Sequence, residues 1–252
     1  MEWLVDTPDG RALAVEDAGD RDGRPVMVHV GTPGGRRLYG PRTLADAERR
    51  HLRLISYDRP GYGGSTPQPG RCMADCASDV RAICAALGID RLPMWGLSGG
   101  GPHVLACAAL LPDLVPAVAS LASLAPYDAQ GLDWMHGFSP AAVDEVRLTL
   151  TDQAEARALF QREREKILMA SPAQVAMDLQ TGAAGLAGAD LALLTDEAIT
   201  IQLALAPGIE GSWDDCVAQL TPWGFDVTRI TVPCCCCTAA RTAPCRSVTA
   251  NG

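Results

Sequence analysis

Residues 94–101 read Met94-Trp95-Gly96-Leu97-Ser98-Gly99-Gly100-Gly101, and this stretch decides the fold class of the chain. An apolar segment precedes the serine and a helical run of small residues follows it, so the pattern G-x-S-x-G falls on a strand-to-helix turn. Glycine suits positions 96 and 100 because a side chain there would collide with neighbouring backbone. The pattern predicts Ser98 as a catalytic nucleophile on a turn built by Gly96 and Gly100. A tight turn that merely packs helix on strand is the structural alternative.

A second glycine-rich loop, residues 29–35 (His-Val-Gly-Thr-Pro-Gly-Gly), follows an apolar strand. Its backbone N–H groups would lie at the carboxyl edge of the sheet, where open α/β folds bind ligands. Acyl transfer needs donors aimed at the tetrahedral oxygen, and removal of one typically costs about 3 kcal/mol of transition-state stabilisation. The predicted oxyanion hole consists of the N–H groups of Thr32 and Gly99. Taken alone, the loop also fits an ordinary turn; it lacks the Lys-Ser or Lys-Thr of a phosphate-binding loop.

The order of apolar segments predicts the organisation of the chain. Strands alternate with single helices through residue 125, which indicates parallel βαβ units. The predicted strands are Glu2–Asp6, Ala12–Glu16, Pro25–His29, Leu52–Tyr57, Leu92–Trp95 and Val115–Ser123, and the helices are Thr43–Arg50, Cys72–Leu87 and Gly99–Leu111. Helical patterns then occupy residues 140–170, 172–182 and 189–206, and the strand pattern resumes over residues 225–233. We therefore predict a core of residues 1–128 and 221–237, a helical lid of residues 129–220, and a tail of residues 238–252 that is foreign to the fold.

Composition excludes several classes of partner. The chain has 252 residues and a formal net charge of −9, which argues against nucleic acid and against an anionic membrane surface, because both bind clustered Lys and Arg. The first ten residues show no basic segment followed by an apolar run, and the apolar stretch His103–Pro126 is interrupted by Asp113 and two prolines. A cytoplasmic protein with a small-molecule substrate is expected; the sequence leaves homo-oligomerisation open.

Taken together, the motifs resemble those of the α/β-hydrolase fold superfamily, in the lidded group with proline iminopeptidase-like and esterase-like members. Three blocks carry the resemblance: residues 29–35, residues 58–65 (Asp-Arg-Pro-Gly-Tyr-Gly-Gly-Ser) and residues 96–101. The resemblance covers roughly residues 1–233, and it implies a mostly parallel sheet flanked by helices with an inserted helical lid. It also implies that Asp58 and Arg59 are structural. One departure is Val30, an extra residue between a histidine and a glycine that are usually adjacent in the family.

The acid and base of a serine triad lack clear counterparts. In this family the acid follows a late strand and the histidine lies near the carboxyl end. The chain has four histidines, all of which precede the end of the predicted lid: His29, His51, His103 and His136. The first two are expected to be structural. His103 is expected to face away from the site and His136 to be a polar lid residue, and these two stay open as alternatives for the base. Asp128 lies where some family members carry their acid.

Four consecutive cysteines, Cys234–Cys237, stand where the resemblance implies an apolar strand. Every cysteine codon is TG followed by C or T, so adjacent cysteine codons read one base out of register give leucine. With GC-rich codon choices the shifted tail reads Val-Pro-(Val/Leu)-Leu-Leu-Leu-His-Gly-Gly-Lys-Asp-Arg-Ala-Val-Pro-Phe-Gly-His-Gly, which supplies a strand, an acid and a histidine in the family order. We therefore expect a frameshift near Pro233 that replaces the last strand, the acid, the histidine and the C-terminal helix.

A metal site is the competing interpretation of the cysteines. It is disfavoured because zinc ligands normally come in spaced pairs, and four adjacent cysteines on a strand do not converge on one ion. The remaining cysteines are expected to be reduced, partly buried thiols: Cys72, Cys76, Cys84, Cys107 and Cys216. No metal and no cofactor is expected.

The sequence thus predicts a serine hydrolase that acts on a small ester, amide or related carbonyl compound through an acyl-enzyme on Ser98. Catalysis is expected to be impaired because the acid and the base are absent, and the shortened sheet is expected to leave an unpaired edge. Two alternatives stay open, a non-catalytic ligand-binding protein and a cofactor-free peroxidase or C–C lyase, because one fold supports many activities.

Overall fold

The apolar segments form one sheet, to which eight strands contribute in the residues that the structure describes. The structure is a computed structural model and describes residues 1–37, 40–182, 189–237 and 246–248. The strands are β1 (Glu2–Asp6), β2 (Ala12–Gly19), β3 (Arg24–His29), β4 (Leu52–Tyr57), β5 (Met94–Leu97), β6 (Val118–Leu121), β7 (Cys234–Cys237) and β8 (Arg246–Val248).

The order of the strands across the sheet is β1-β2-β4-β3-β5-β6-β7-β8. Strands β4, β3, β5, β6 and β7 run parallel, whereas β1, β2 and β8 pair antiparallel with their neighbours. The predicted α/β fold with a mostly parallel sheet is confirmed. Because β3 and β5 are parallel neighbours with His29 opposite Gly96, the loops that follow them leave the same edge of the sheet side by side.

Eight α-helices accompany the sheet in the described residues. They are α1 (Pro41–Arg49), α2 (Cys76–Leu87), α3 (Gly101–Leu110), α4 (Pro140–Thr151), α5 (Gln153–Met169), α6 (Pro172–Gly182), α7 (Leu191–Leu205) and α8 (Glu210–Leu220). Helix α2 presents an apolar stripe with Val80 and Ile83 and ends at Leu87; the following Gly88 caps it with a φ of +65°, in the left-handed region. With α3 it covers one face of the sheet and forms the main hydrophobic core.

Helices α4–α8 lie between β6 and β7 in the chain and pack on one another. An aromatic cluster with Trp134, Phe138 and Phe160 packs against Cys216 and Leu220 of α8, so that the beginning of this segment meets its end. We call residues 129–220 the helical insertion; its role as a lid, like its exact boundaries, stays a prediction.

Several predicted elements are corrected by the structure. The strand predicted over residues 225–233 is instead a 3-10 turn at Val227–Arg229, because the Asp226 carboxylate accepts the Thr228 N–H (2.8 Å) and starts a turn. The helical segment 140–170 is divided at Asp152, whose side chain caps α5 by accepting the Glu155 N–H. Helix α8 is an element that the apolar periodicity does not predict.

Strand β7 is built from the four cysteines and pairs with β6 from Val118↔Cys234 to Leu121↔Cys237. Cys234 packs against the main core although it is only partly buried. β8 adds to β7 in antiparallel orientation, so in the described residues the edge of the sheet at this end is β8 and not β7. The rest of the predicted foreign tail, residues 238–245 and 249–252, lies outside the described residues.

The five scattered cysteines are free thiols, and all of them except the half-buried Cys72 are buried. Within the described ranges, no single helix combines the length and apolar character needed to cross a bilayer; α7 and α8 meet such a test only as a pair bent by 99°.

Candidate active site

Ser98 lies on the turn between β5 and α3 with a φ of +51°, in the left-handed region that non-glycine residues rarely adopt. A one-turn 3-10 helix, Ser98–Gly100, joins the strand to α3. A Cβ atom on Gly96 would overlap the carbonyl oxygen of Gly100, and one on Gly100 would overlap that of His29. The two glycines therefore allow a turn that no larger residues would fit, and the strained backbone presents an exposed serine side chain.

Ser98 opens into a cavity of about 340 Å³ between the sheet edge and the helical insertion. The residues that line this Ser98 cavity are Thr32, Pro33, Ser98, Gly99, Leu124, Glu145, Leu159, Phe160, Glu163, Arg164, Ile167, Leu205, Ser212, Cys216 and Gln219. The structure thus brings Ser98, Thr32 and Gly99 to one cavity, with helices α4, α5, α7 and α8 forming its other side.

The loop of Thr32 packs closely on the turn of Ser98. A Cβ on Gly99 would overlap the Thr32 hydroxyl, and one on Gly31 would meet the Ser98 Cβ at 3.5 Å. The Thr32 N–H donates no hydrogen bond within the described residues. The Ser98 carbonyl accepts the Gly101 N–H. In the peptide group between Ser98 and Gly99 the N–H points opposite to this carbonyl, so the Gly99 N–H is directed away from the helix.

The charged lining of the Ser98 cavity is mainly acidic. Glu145 is partly buried, and burial raises the pKa of its carboxyl, with the charge of Glu163 as a further cause. The guanidinium of Arg164 is occupied elsewhere, since it donates to the carbonyl oxygens of Leu205 (2.7 Å) and Ala206 (2.6 Å).

Beneath the Thr32 loop lies a buried ionic cluster centred on Asp215 of α8. The Arg59 Nη2 atom lies 2.5 Å from Asp215 Oδ2, and the Arg71 Nη1 atom lies 2.6 Å from Oδ1. The Tyr62 hydroxyl (3.0 Å) and the Thr32 hydroxyl (2.9 Å) also donate to Asp215 Oδ2. Burial alone would raise the pKa of Asp215, but the charges of Arg59 and Arg71 outweigh it and hold that pKa well below its usual range.

Arg59 also holds the loop itself. Its guanidinium donates to the carbonyl oxygens of Val30 (2.8 Å) and Gly31 (2.9 Å). Burial would lower the pKa of Arg59, but the charge of Asp215 prevails and raises it. The family resemblance implies a structural role for Arg59, and the sequence analysis assigns no role to Asp215. Two adjacent acids in a helix that also buries Trp213 and Cys216 are the signal that could have found it, because buried carboxylates need cationic partners.

Asp58, the other polar residue predicted as structural, faces a different set of groups. Its carboxylate accepts the N–H groups of Arg36 (2.7 Å) and Gly64 (2.9 Å), and it also pairs with the Arg36 guanidinium. These bonds join the turn after β4 to the loop after β3. None of the three residues lines the Ser98 cavity.

His103 and His29 are buried under the turn of Ser98, with stacked rings 5.9 Å apart. The Nδ1 atom of His103 donates to the Gly99 carbonyl (3.0 Å), while its Nε2 atom is buried without a hydrogen-bond partner, 3.8 Å from Asp215. Burial, followed by the charge of Arg59, lowers the pKa of His103 to about 3. Burial and His103 likewise place the pKa of His29 well below its usual value. Both rings are therefore neutral, and neither bonds to Ser98.

The other polar candidates also lie away from Ser98. His51 is exposed and pairs with Asp20 (2.8 Å), and His136 and Asp128 are exposed without lining the Ser98 cavity. In the part of the chain that the structure describes, Ser98 has no hydrogen-bonded base, and no cluster of three or more His, Cys, Asp or Glu side chains is arranged to hold a metal ion.

Comparison with known proteins identifies a common fold. The family model for the alpha/beta hydrolase fold matches residues 24–200. A non-heme chloroperoxidase of Streptomyces lividans is 36% identical over 101 residues, which are 40% of this chain and 36% of that protein. A proline iminopeptidase of Xanthomonas citri is 32% identical over 104 residues, 40% of this chain and 33% of that protein. The chain therefore spans about a third of the length of these relatives.

Solved structures agree over a larger part of the chain. An alpha/beta hydrolase fold protein from Nakamurella multipartita superposes with a TM-score of 0.58 and 25% identity, covering 93% of this chain and 79% of that one. A carboxylesterase structure from Nitrososphaera gargenis gives a TM-score of 0.63 with 18% identity, covering 92% of this chain and 78% of that one. At this identity the second likeness concerns the fold alone.

Proposed function

The chain belongs to the alpha/beta hydrolase fold family, and on that premise we propose that it is a serine hydrolase of small ester, amide or related carbonyl compounds. Ser98 Oγ would give its proton to a base and attack the carbonyl carbon, and the bond to the alcohol or amine would break as that leaving group takes up the proton. Water then attacks the resulting acyl-enzyme, releases the carboxylic acid and returns the proton to Ser98. The N–H groups of Thr32 and Gly99 would bind the oxyanion. The single observation that supports this most strongly is the backbone of Ser98, held at a φ of +51° with its side chain exposed in a cavity shared with Thr32 and Gly99.

We further propose that the chain as it stands is impaired at the first proton transfer. A serine hydroxyl is a weak nucleophile unless a base accepts its proton. The two histidines nearest the turn are buried and neutral, and His103 spends its Nδ1–H on the Gly99 carbonyl. The four cysteines at the position of β7 support the frameshift hypothesis, because the shifted register places leucines at a strand position beside the apolar core.

Fluorophosphonate labelling tests both proposals. Three proteins are compared: the chain as it stands, the same chain with the shifted frame restored after Pro233, and the restored chain with Ser98→Ala. Labelling at Ser98 is expected to be rapid in the restored chain, at least about a hundredfold slower in the chain as it stands, and absent after Ser98→Ala. A restored chain that neither labels nor hydrolyses esters and peptides would refute the hydrolase proposal, and sequencing of the locus checks the frame independently.

A second candidate function, non-catalytic ligand binding, is favoured by the coexistence of a cavity of about 340 Å³ with a serine that has no base in the described residues. Calorimetric titration of the chain as it stands with a non-hydrolysable ester analogue separates the two. Binding to the chain together with an unreactive Ser98 in the restored protein would favour this candidate. Peroxidase activity of the restored protein, tested with peroxide and halide, would indicate the chemistry named for the Streptomyces lividans relative instead.

A further inference from the structure

Asp215 connects the helical insertion to the loop that carries the proposed oxyanion donor. It belongs to α8, yet its carboxylate lies under the Thr32 loop and its side chain is 0% exposed. Gln219, one turn later on the same helix, donates through Nε2 to the Thr32 hydroxyl (3.3 Å). The Thr32 hydroxyl in turn donates to Asp215 (2.9 Å). Two side chains of one helix of the insertion thus bind the same loop hydroxyl.

The contacts of Arg59 define the orientation of one peptide group. Its Nη2 atom bonds both to the Gly31 carbonyl (2.9 Å) and to Asp215 (2.5 Å). The peptide bond between Gly31 and Thr32 is trans, so its carbonyl and its N–H point in opposite directions in one rigid plane. Because the carbonyl is held towards Arg59, the Thr32 N–H is directed away from the ionic cluster. This N–H has no acceptor in the described residues.

Asp215 fixes Arg59 through a bidentate contact. The Nη2 atom of Arg59 donates to Asp215 Oδ2 (2.5 Å), and its Nε atom donates to Oδ1 (3.3 Å) and to Oδ2 (3.0 Å). A planar guanidinium held at two nitrogen atoms has little rotational freedom. Its remaining donors reach the Val30 and Gly31 carbonyls (2.8 and 2.9 Å). The loop carbonyls therefore sit where the carboxylate of α8 places the guanidinium.

We propose that Asp215 is a positioning residue for the oxyanion hole, which it aligns through Arg59 and the Thr32 hydroxyl. Docking of α8 then sets the direction of the Thr32 N–H, so that a loosely docked insertion leaves the hole with one misdirected donor. The inference rests on the proposed function only in the role given to the Thr32 N–H; the alignment itself is a property of the loop and can be measured without catalysis.

Variants at Thr32 and Arg59 separate alignment from folding. Asp215→Asn would remove the negative charge that pairs with two buried guanidinium groups, and it risks unfolding the chain. Thr32→Val removes the hydroxyl but keeps both ion pairs, and Thr32→Ser keeps the hydroxyl. Arg59→Lys keeps the charge beside Asp215 but cannot reach the carboxylate and two carbonyls at once. Asp214→Asn, a buried acid adjacent in sequence that makes no bond to the loop, is the matched control.

The readout on the chain as it stands is the orientation of the amide at position 32, measured by N–H residual dipolar couplings relative to the amides of β3 and β5. Thr32→Val and Arg59→Lys are expected to change the couplings of this amide while those of the strands stay the same. Thr32→Ser and Asp214→Asn are expected to reproduce the parent values. Unchanged couplings in both Thr32→Val and Arg59→Lys would overturn the inference, as would equal changes in Thr32→Ser or Asp214→Asn.

A second readout uses the frame-restored chain. If Ser98 is active there, Thr32→Val and Arg59→Lys are expected to lower kcat about tenfold to a hundredfold with little change in KM, because only the transition state bears the oxyanion charge. Thr32→Ser is expected to rescue kcat. A rise in KM at unchanged kcat would contradict an alignment role. An inactive restored chain refutes the proposed function alone, since the dipolar couplings still decide the alignment.

Discussion

Acidification is expected to begin to destabilise this protein below about pH 6.5, before most carboxylates take up protons. His103 is buried with a neutral ring, and its pKa falls from 6.5 to about 3 in the folded chain, chiefly through burial and then through the charge of Arg59. A histidine of this kind binds its proton only in the unfolded chain, so its contribution to stability is complete above about pH 6.5 and is lost progressively as the pH falls towards 3.

The size of the effect follows from the shift. Each pH unit below the unfolded-state pKa of His103 lowers the free energy of unfolding by about 1.4 kcal/mol. At about pH 5 the loss from His103 alone is therefore roughly 2 kcal/mol, and burial of His29 adds a loss of the same sign. Since domains are typically stable by only about 5–15 kcal/mol, this loss is a large part of the total.

Urea unfolding followed by circular dichroism between about pH 7.5 and pH 4.5 measures this dependence. His103→Asn keeps an N–H that can donate to the Gly99 carbonyl but removes the titrating ring, so its stability is expected to fall less steeply with acid. His136→Gln, at an exposed histidine, is the control and should follow the parent curve. If the parent midpoint stays constant down to about pH 5, or if His103→Asn is as steep as the parent, the assignment of a buried neutral imidazole is wrong.

Three further outcomes test the site and the core. In urea, Ser98→Gly should have a free energy of unfolding about 1 kcal/mol higher than Ser98→Ala, because glycine relieves the strain of the positive φ. Equal urea midpoints of the two variants would refute the strained turn. Gly100→Ala should lower the free energy of unfolding by about 2–3 kcal/mol, because its Cβ would overlap neighbouring carbonyl oxygens. For Gly31→Ala, whose Cβ would have its nearest contact at 3.5 Å, the free energy of unfolding should stay within about 0.5 kcal/mol of the parent. Similar losses in both variants would contradict the packing. Burial raises the pKa of Cys84 and of Cys216 to about 12. Alkylation of these thiols by iodoacetamide at about pH 8, followed by mass spectrometry, should therefore be at least about a hundredfold slower in the native chain than in urea. Comparable rates would show that the two thiols are accessible.

Local patterns predicted the strands and the turn of Ser98 because these depend on near neighbours in sequence. The alternation of apolar segments located β1 and β4 at their observed bounds, and G-x-S-x-G located the strained turn. The predicted strand over residues 225–233 is wrong because the Asp226 side chain caps a turn and so competes with extended structure. The spacing of apolar residues, on which the prediction was based, carries no information on such side-chain caps. Helix α8 was missed as a helix since its buried polar residues obscure the apolar stripe.

The ionic cluster could not be read from the sequence in the same way. Asp215 and Arg59 are 156 positions apart, and an acid in a helix or an arginine in a turn is usually exposed to solvent. Only the packing of α8 under the Thr32 loop makes the pair obligatory, because each charge then loses its water.

Composition and short motifs by themselves determined that this chain forms a mostly parallel sheet and exposes a serine at a glycine-bounded turn, since the missing side chain of glycine and the burial of apolar strands are properties of local sequence. The tertiary structure alone decided which groups surround that serine: it buried two neutral histidines beneath it, turned one loop carbonyl towards Arg59, and brought a carboxylate from α8 to hold that arginine. These contacts join distant segments, and their strength comes from exclusion of water, which no stretch of sequence specifies until the chain has packed.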